Sequence, residues 1–201
     1  MNTGKRIGAG AVAVIAAVAV GAPAASATQA APVAKAQAAT SATASAAVVT
    51  LPSWPVLRQG SNAQWPRATV RSLQYLLDAR GARLTVDGAF GPLTNAAVVA
   101  FQRAHRLPAN GVVDAATWRA LVVTVQYGSR GYAVRAVQDQ ANFRNLKDGR
   151  SLVVDGIFGP KTKAWVVAFQ NAMKTEVPGF QVDGIVGPQT WQALISEALS
   201  G

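Results

Sequence analysis

The sequence contains no cysteine and a single histidine, His105, and only nine of its 201 residues are acidic. Without cysteine the protein has neither disulfides nor a thiol nucleophile, so an extracellular domain has to be held together by its packed core alone. One histidine does not supply the two or three imidazoles typical of catalytic zinc. Basic residues number 19, and the formal net charge is +10. This charge attracts polyanions or simply keeps the protein in solution.

An uncharged stretch at the N-terminus follows two basic residues. Lys5 and Arg6 precede the stretch from Ile7 to Ala22, which is mostly Ala, Val and Gly, and Ala25-Ser26-Ala27 has the small residues of a signal peptidase site. This order predicts a secretory signal peptide over residues 1–27. The stretch has 16 residues, whereas a membrane-spanning helix needs about 20 strongly apolar ones. We therefore expect export with cleavage rather than a membrane anchor.

The next segment differs in composition. Residues 28–52 are dominated by Ala, Thr and Ser and have no aromatic residue and no sustained apolar period, so we expect a disordered linker there. Removal of the signal peptide leaves 17 basic and nine acidic residues, a formal net charge of +8. For an exported protein, anionic polymers of the cell wall suit this charge better than nucleic acid does.

Two later segments nearly repeat one another. Val86–Gln102 reads VDGAFGPLTNAAVVAFQ and Val154–Gln170 reads VDGIFGPKTKAWVVAFQ, with 13 of 17 positions identical at an offset of 68. Such self-similarity indicates two copies of one small domain, which we place at residues 53–122 and 123–201. We expect the function to come from the repeated unit, because no segment of catalytic-domain size is left over.

Each copy shows three amphipathic segments separated by glycine-rich turns. Apolar residues recur there at helical spacing, which predicts helices whose apolar faces form one core. The expected core residues are Val70, Leu73, Leu77, Val98, Phe101, Trp118 and Leu121 in the first copy and Val134, Val137, Ala141, Val166, Phe169, Trp191 and Leu194 in the second. The predicted fold is all-α: two small three-helix bundles in tandem after a signal peptide and a disordered Ala-rich linker, each bundle able to fold alone.

A turn motif precedes the second helix of each copy and recurs before the last helix. Val182–Thr190 reads VDGIVGPQT, an echo of VDGIFGPKT. Aspartate can accept a hydrogen bond from the amide two residues on, glycine tolerates a left-handed conformation, and Gly-Pro suits a helix start. We expect Asp87, Asp155 and Asp183 to stabilise these turns. The alternative is that free amides of the helix N-termini receive a ligand carboxylate.

The ordered motifs resemble those of a known family. The first copy contains VRSLQYLL, VDGAFGPLTNAAVVAFQ and NGVVDAATWRAL, and the second contains VRAVQ, VDGIFGPKTKAWVVAFQ and VDGIVGPQTWQAL. This twofold set, between Trp54 and Leu199, resembles the bacterial peptidoglycan-binding domain that is attached to cell-wall hydrolases. The resemblance implies three-helix bundles that bind wall polymer noncovalently, with a cell-wall hydrolase as a possible partner. The Ala-rich leader is similar to those of secreted actinobacterial proteins.

The two copies differ at two informative places. Asp114 and Ala115 replace the Gly187-Pro188 of the second copy, so we expect Asp114 to cap the third helix of the first copy instead. Trp165 stands where the first copy has Ala97. It either adds apolar packing or forms a platform on which a sugar or a stem peptide stacks.

Candidate binding residues follow from the matching motif positions. We predict that the polar rim of each ligand groove consists of Asp87, Thr94 and Gln102 in the first copy and of Asp155, Thr162, Trp165 and Gln170 in the second. A core or capping role competes for most of them. We expect no catalytic residue, cofactor or metal: His105 lies at a predicted helix end, where a cation meets the helix dipole, and neither GxSxG nor HExxH occurs.

These features predict a secreted, noncatalytic peptidoglycan-binding protein, extracellular or associated with the cell wall, whose two modules gain avidity. Its expected partners are the glycan or stem peptide of peptidoglycan, anionic wall polymers and a cell-wall hydrolase. The alternative is a secreted interaction or inhibitor protein that binds another extracellular protein through the same bundles. Nucleic acid is disfavoured, because no basic recognition helix stands out and the leader directs export, and no membrane contact is expected after signal cleavage.

Overall fold

The computed structural model describes residues 51–61, 67–144 and 151–196. Six helices follow one another in these ranges: α1 (Arg67–Ala79), α2 (Pro92–Ala104), α3 (Ala115–Leu121), α4 (Tyr132–Arg144), α5 (Pro160–Glu176) and α6 (Pro188–Ile195). Strand pairing in the described ranges is limited to isolated bridges. The predicted all-α fold of two tandem three-helix bundles is confirmed, with α1–α3 in the first repeat and α4–α6 in the second.

Some predictions fall outside these ranges. The signal peptide, and all but the last two residues of the predicted linker, lie outside the described residues. The boundary that we place between residues 122 and 123 falls in the connection from α3 to α4 and stays a prediction. Among the helices that are described, none combines the length and the apolar character required to cross a membrane.

Proline and aspartate begin the helices that follow the turn motifs. Pro92, Pro160 and Pro188 are the first residues of α2, α5 and α6, each preceded by a glycine in extended conformation. Proline fits this position because its missing N–H has no helical acceptor there. At α3 the Asp114 side chain accepts a hydrogen bond from the Thr117 amide at 2.8 Å, which confirms the predicted cap.

Each repeat has one fully buried tryptophan in its core, Trp118 in the first and Trp191 in the second, and Trp54 stacks on Trp118. All the apolar side chains predicted for the core are buried, and none is more than 6% exposed. The indole N–H of Trp118 donates to the Pro55 carbonyl at 2.8 Å, and that of Trp191 donates to the Val123 carbonyl at 2.7 Å. The extended segments ahead of α1 and α4 are therefore built into the two bundles, because each supplies the acceptor that a buried indole needs.

In each bundle an arginine near the end of the first helix donates hydrogen bonds to the end of the third helix. Arg80 donates to the carbonyls of Ala120 and Leu121 at 2.9 and 3.1 Å, and Arg144 donates to that of Leu194 at 2.8 Å. These carbonyls lie at the C-terminal ends of α3 and α6, where no helical amide is available and a cation is favourable. The third helix of each repeat is thus fastened to the first by the same contact.

The two repeats pack against each other through α1 and α4 and belong to one compact unit. Arg71 Nε donates to Asp139 Oδ2 at 2.8 Å, and Gln140 Nε2 donates to Ser72 Oγ at 2.9 Å. Ser72 and Gln140 are both fully buried. Leaving a buried polar group unpaired costs about 1–3 kcal/mol, so this hydrogen bond favours one relative placement of the repeats.

Candidate functional site

A buried glutamine contacts the turn that follows its own helix, and this arrangement occurs four times in the described chain. The glutamine Oε1 accepts a hydrogen bond from a glycine amide, and Nε2 donates to the carbonyl of the next residue and to a threonine hydroxyl. We call these networks glutamine clasps; they join Gln74 to Gly88 and Thr94, Gln102 to Gly111 and Thr117, Gln138 to Gly156 and Thr162, and Gln170 to Gly184 and Thr190. Each repeat therefore contains two copies of one helix–turn–helix connection.

The clasp of Gln170 shows the geometry. Its Oε1 accepts from the Gly184 amide at 2.8 Å, while its Nε2 donates to the Ile185 carbonyl at 2.9 Å, to Asp183 Oδ1 at 3.0 Å and to Thr190 Oγ1 at 3.2 Å. The side chain of Gln170 is fully buried. One amide thereby satisfies donors and acceptors of the turn that the helices leave unpaired, as buried polar groups require.

Each turn is also held from outside by a short polar side chain. The Oδ1 atoms of Asp87, Asp155 and Asp183 accept from the amide two residues on, each at 2.8 Å, which confirms the predicted turns. Asn110 accepts from the Val112 amide at 2.9 Å in the same way. A neutral amide therefore replaces the carboxylate in one clasp, so the turn needs the oxygen and not the charge.

The structure divides the predicted rim residues of the first repeat between two clasps. Asp87 and Thr94 both accept from Nε2 of Gln74, at 2.7 and 3.3 Å. Gln102 instead reaches Thr117 in the following clasp, at 3.1 Å. The three residues that the motif grouped together are thus not one set, because the glutamine partner of each turn lies in the helix before it.

The second repeat shows the same division. Asp155 and Thr162 bond to Gln138, at 2.8 and 3.3 Å, whereas Gln170 belongs to the clasp before α6. Among the predicted rim residues the threonines and glutamines are buried, at most 3% exposed, whereas the two carboxylates are exposed and Trp165 is half-buried. A turn-stabilising role accounts for these contacts, and a role in ligand binding stays a prediction.

Hydrogen bonds lower the pKa of three carboxylates, those of Asp87, Asp114 and Asp155. Hydrogen bonds from the Gln74 side chain and the Ala89 amide hold the pKa of Asp87 below its ordinary value. The pKa of Asp155 is lowered by the Ile157 amide and by Gln138, and that of Asp114 by the Thr117 amide. Hydrogen bonds to the charged form favour it, so these carboxylates are ionised at neutral pH.

Trp165 lies against the core rather than away from it. Its ring is half-buried and stacks on Phe169, with the ring centroids 5.4 Å apart and the planes 8° from parallel. In the first repeat His105 covers the corresponding Phe101, with centroids 4.0 Å apart. The packing interpretation of Trp165 is thus supported by a contact, and its partly exposed ring leaves the ligand role untested.

A shallow open groove runs beside the first turns of α5. It is lined by Tyr127, Pro160, Lys163, Ala164 and Val167 and has a volume of about 590 Å³. Tyr127 is 60% exposed, which is unusual for so large an aromatic side chain in a small bundle. An apolar floor with one aromatic wall and one cation can hold a small ligand that carries a negative charge.

The corresponding surface of the first repeat has different chemistry. The segments ahead of α1 and α4 correspond, since Gly60 and Gly128 donate to the equivalent carbonyls of Phe90 and Phe158, both at 3.0 Å. This places Gln59 at the position of Tyr127, and the 68-residue offset places Asn95 at that of Lys163. The first repeat therefore has neither the aromatic wall nor the cation.

Comparison with known proteins decides the family. The family model of the peptidoglycan binding domain matches residues 66–121 and 130–194, more than half of the chain and one match per repeat. The chain belongs to this family. Its two peptidoglycan-binding modules are α1–α3 and α4–α6, as the resemblance of the motifs implied.

Two curated proteins are similar to parts of the chain. The zinc D-Ala-D-Ala carboxypeptidase of Streptomyces albus G is 34% identical over 126 residues, which cover 62% of this chain and 44% of that enzyme. An uncharacterized protein of Kitasatospora aureofaciens is 48% identical over 48 residues, 24% of this chain and 36% of that protein. The chain thus spans less than half the length of either relative. No solved structure matches it.

The zinc in the name of the Streptomyces relative invites a test of the donors in this chain. Within residues 51–61, 67–144 and 151–196, no group of three His, Cys, Asp or Glu side chains could hold a metal ion. His105 is the only histidine in the sequence, and one imidazole alone does not make such a site. The described residues of the two modules therefore do not fit a catalytic zinc.

Sequence reasoning missed several residues of these modules. Gln74 and Gln138 lie in the VRSLQYLL and VRAVQ motifs, yet only the folded chain shows that they pair with turns 14 and 18 residues further on. Tyr127 and Lys163 lie at positions where the two copies differ. A comparison of the copies that looked for differences rather than identities would have found them.

Proposed function

We propose that this protein is an exported, noncatalytic binder of peptidoglycan that uses both modules. The observation that carries the proposal is the family match to both repeats, each folded on the same pair of glutamine clasps. Rigid turns between short helices suit a binding surface, because a preorganised surface loses little entropy when it binds.

The noncatalytic part of the proposal has separate support. The similarity to the Streptomyces carboxypeptidase covers 62% of this chain and only 44% of that enzyme. The buried polar side chains of the clasps are hydrogen-bonded to their own turns, and the turn carboxylates that carry lowered pKa values are poor proton donors at neutral pH. We propose that the modules hold the polymer and leave its bonds intact.

Location and charge fit the same function. The predicted leader over residues 1–27 would export the protein, and a formal net charge of +8 on the remainder would attract anionic wall polymers. A cell-wall hydrolase is the proposed companion, since the family resemblance links such modules to these enzymes. Attraction of this kind is screened by salt, so retention on the wall should weaken as ionic strength rises.

Two modules in one packed unit suit a repetitive ligand. Weak sites that are joined in one molecule gain from an effective concentration in the millimolar range, provided that the polymer can reach both. The α1–α4 contact favours one separation of the modules, so the polymer has to present its repeating units at a compatible spacing. Avidity would then be sensitive to the architecture of the wall.

The test is sedimentation of the chain, freed of its predicted leader, with purified peptidoglycan sacculi. We expect retention by the sacculi, no release of soluble fragments, and affinity for the polymer exceeding that for monomeric fragments by about 100-fold or more. Protein that stays in the supernatant would refute the binding function, and fragment release would refute the noncatalytic role. Equal affinity for polymer and monomer would remove avidity, and capture of an extracellular protein in place of sacculi would favour the inhibitor alternative.

A further inference from the structure

We propose that the groove beside α5, which we call the Tyr127–Lys163 groove, binds a short peptide with a free carboxylate. It is lined by Tyr127, Pro160, Lys163, Ala164 and Val167. This inference rests on the proposed function and deepens it: the ligand is the stem peptide of peptidoglycan, and the second module alone provides this contact.

The walls of the groove are apolar and accessible. Pro160, Ala164 and Val167 contribute aliphatic carbon from the start of α5, and Tyr127 contributes a 60% exposed aromatic side chain to the same lining. Tyr127 makes no side-chain hydrogen bond among the described residues, so its ring and hydroxyl are available to a ligand. The volume of about 590 Å³ lies within the range of about 300–1,000 Å³ that is typical of small-molecule sites. A few residues with small side chains fit such a space.

The charge of the groove selects the ligand. The aliphatic part of the Lys163 side chain lies over Gly184, close enough to be in contact with any Cβ placed there. Among the described residues, an ion pair joins Arg71 to Asp139, and no carboxylate forms an ion pair with Lys163. The aliphatic part of the side chain thus positions the Lys163 ammonium group, and an ammonium group without an ion-pair partner attracts an anion. Peptide carboxylates satisfy it, whereas an uncharged glycan does not.

The first module lacks both features. Gln59 takes the position of Tyr127, and Asn95 takes that of Lys163 and covers Gly111 in the way that Lys163 covers Gly184. Both modules have the same three-helix arrangement and the same clasps, so the two surfaces differ in these side chains and not in the order of their helices. The two modules therefore grip the wall differently, and the first contributes through contacts other than a peptide carboxylate.

The experiment converts the groove into its first-module counterpart in the full chain. Tyr127→Gln and Lys163→Asn are compared with Tyr132→Gln, which changes an exposed tyrosine at the start of α4, and Lys174→Asn, which removes the same charge from the far end of α5. The probes are a synthetic stem tetrapeptide with a free carboxyl terminus, the same peptide with a C-terminal amide, and an N-acetylglucosamine oligomer, a glycan that carries no charge. Affinity is measured by NMR titration, which also shows that each variant is folded.

We expect each groove variant to weaken binding of the free-carboxylate peptide by about three- to tenfold, because a surface ion pair or an aromatic contact contributes about that much to affinity. The two control variants should bind this peptide as tightly as the parent does. The amidated peptide should bind the parent as weakly as the free acid binds Lys163→Asn. Equal affinity for the acid and the amide, unchanged binding by the groove variants, or tighter binding of the glycan would overturn the proposal.

The two proposals fail in different ways. If sacculi retain the parent while the peptide titrations fail, peptidoglycan binding stands and the groove assignment falls. If sacculi do not retain the parent, the proposed function falls, and a carboxylate-dependent peptide titration would then show the groove to be a peptide site of another kind.

Discussion

Replacement of Gln170 by methionine tests the central structural feature, the glutamine clasp. Methionine has a similar length and helix propensity, so α5 and its packing should persist while the hydrogen bonds of the amide are lost. The buried Gly184 amide loses its acceptor at 2.8 Å, and the Ile185 carbonyl loses its donor at 2.9 Å. Asp183 is exposed and can bind water instead, so its lost contact matters less.

The magnitude follows from these contacts. An unpaired buried amide costs about 1–3 kcal/mol, and a lost neutral hydrogen bond costs about 1 kcal/mol, so we expect the free energy of unfolding to fall by about 3 kcal/mol. If both repeats unfold as one unit, the melting temperature should fall by roughly 6–12 °C in a single transition. If they unfold separately, one of two transitions should move by roughly twice as much, because a smaller unit unfolds with a smaller entropy.

The assay is urea and thermal denaturation followed by circular dichroism, with Gln126→Met as the matched control. Gln126 is exposed, and its side chain makes no hydrogen bond among the described residues, so the control should change stability by less than about 0.5 kcal/mol. If Gln170→Met unfolds at the same urea concentration as Gln126→Met, the clasp does not stabilise the fold and the reasoning is refuted.

Two further predictions concern the turns and the contact between repeats. Asp87→Asn should leave stability at pH 7 nearly unchanged, since Asn110 already accepts the equivalent hydrogen bond in one turn. The variant should lose less stability than the parent as pH falls below about 4, because a carboxylate with a lowered pKa stabilises the fold only above that range. Urea midpoints at pH 7 and pH 3 measure this difference, and an unchanged acid sensitivity would contradict the prediction. Ser72→Ala should lower the free energy of unfolding by about 1–2 kcal/mol, because it leaves the Gln140 Nε2 group unpaired. Adding Gln140→Met to this variant should restore most of that loss. Additive losses in the double-mutant cycle would show that the two side chains do not interact.

Local chemistry made much of this fold predictable. Apolar residues at helical spacing identified the core around Val70, Phe101 and Trp118. Such residues lie on one face of a helix, and packing that face against the rest of the protein removes their side chains from water. The Asx turn of Asp87 and the cap of Asp114 were predictable for the same reason, because their hydrogen bonds reach only two or three residues along the chain.

The partners of the predicted site residues were not predictable in this way. Motif matching grouped Gln102 with Asp87, whereas Gln102 bonds to Gly111 and the partner of Asp87 is Gln74. A glutamine side chain can reach any turn that packing brings near it. The choice depends on how α1, α2 and the turns are arranged in space, which spacing along the chain does not encode.

The sequence by itself determined the duplication, the helical class and the family, because all three are written in short-range periodicity and in the order of the motifs. Only the tertiary structure decided that Ser72 and Gln140 join the repeats through α1 and α4, and that Tyr127 and Lys163 line the same groove. Contacts between residues far apart in the chain depend on how whole helices pack together, so no local sequence pattern predicts them.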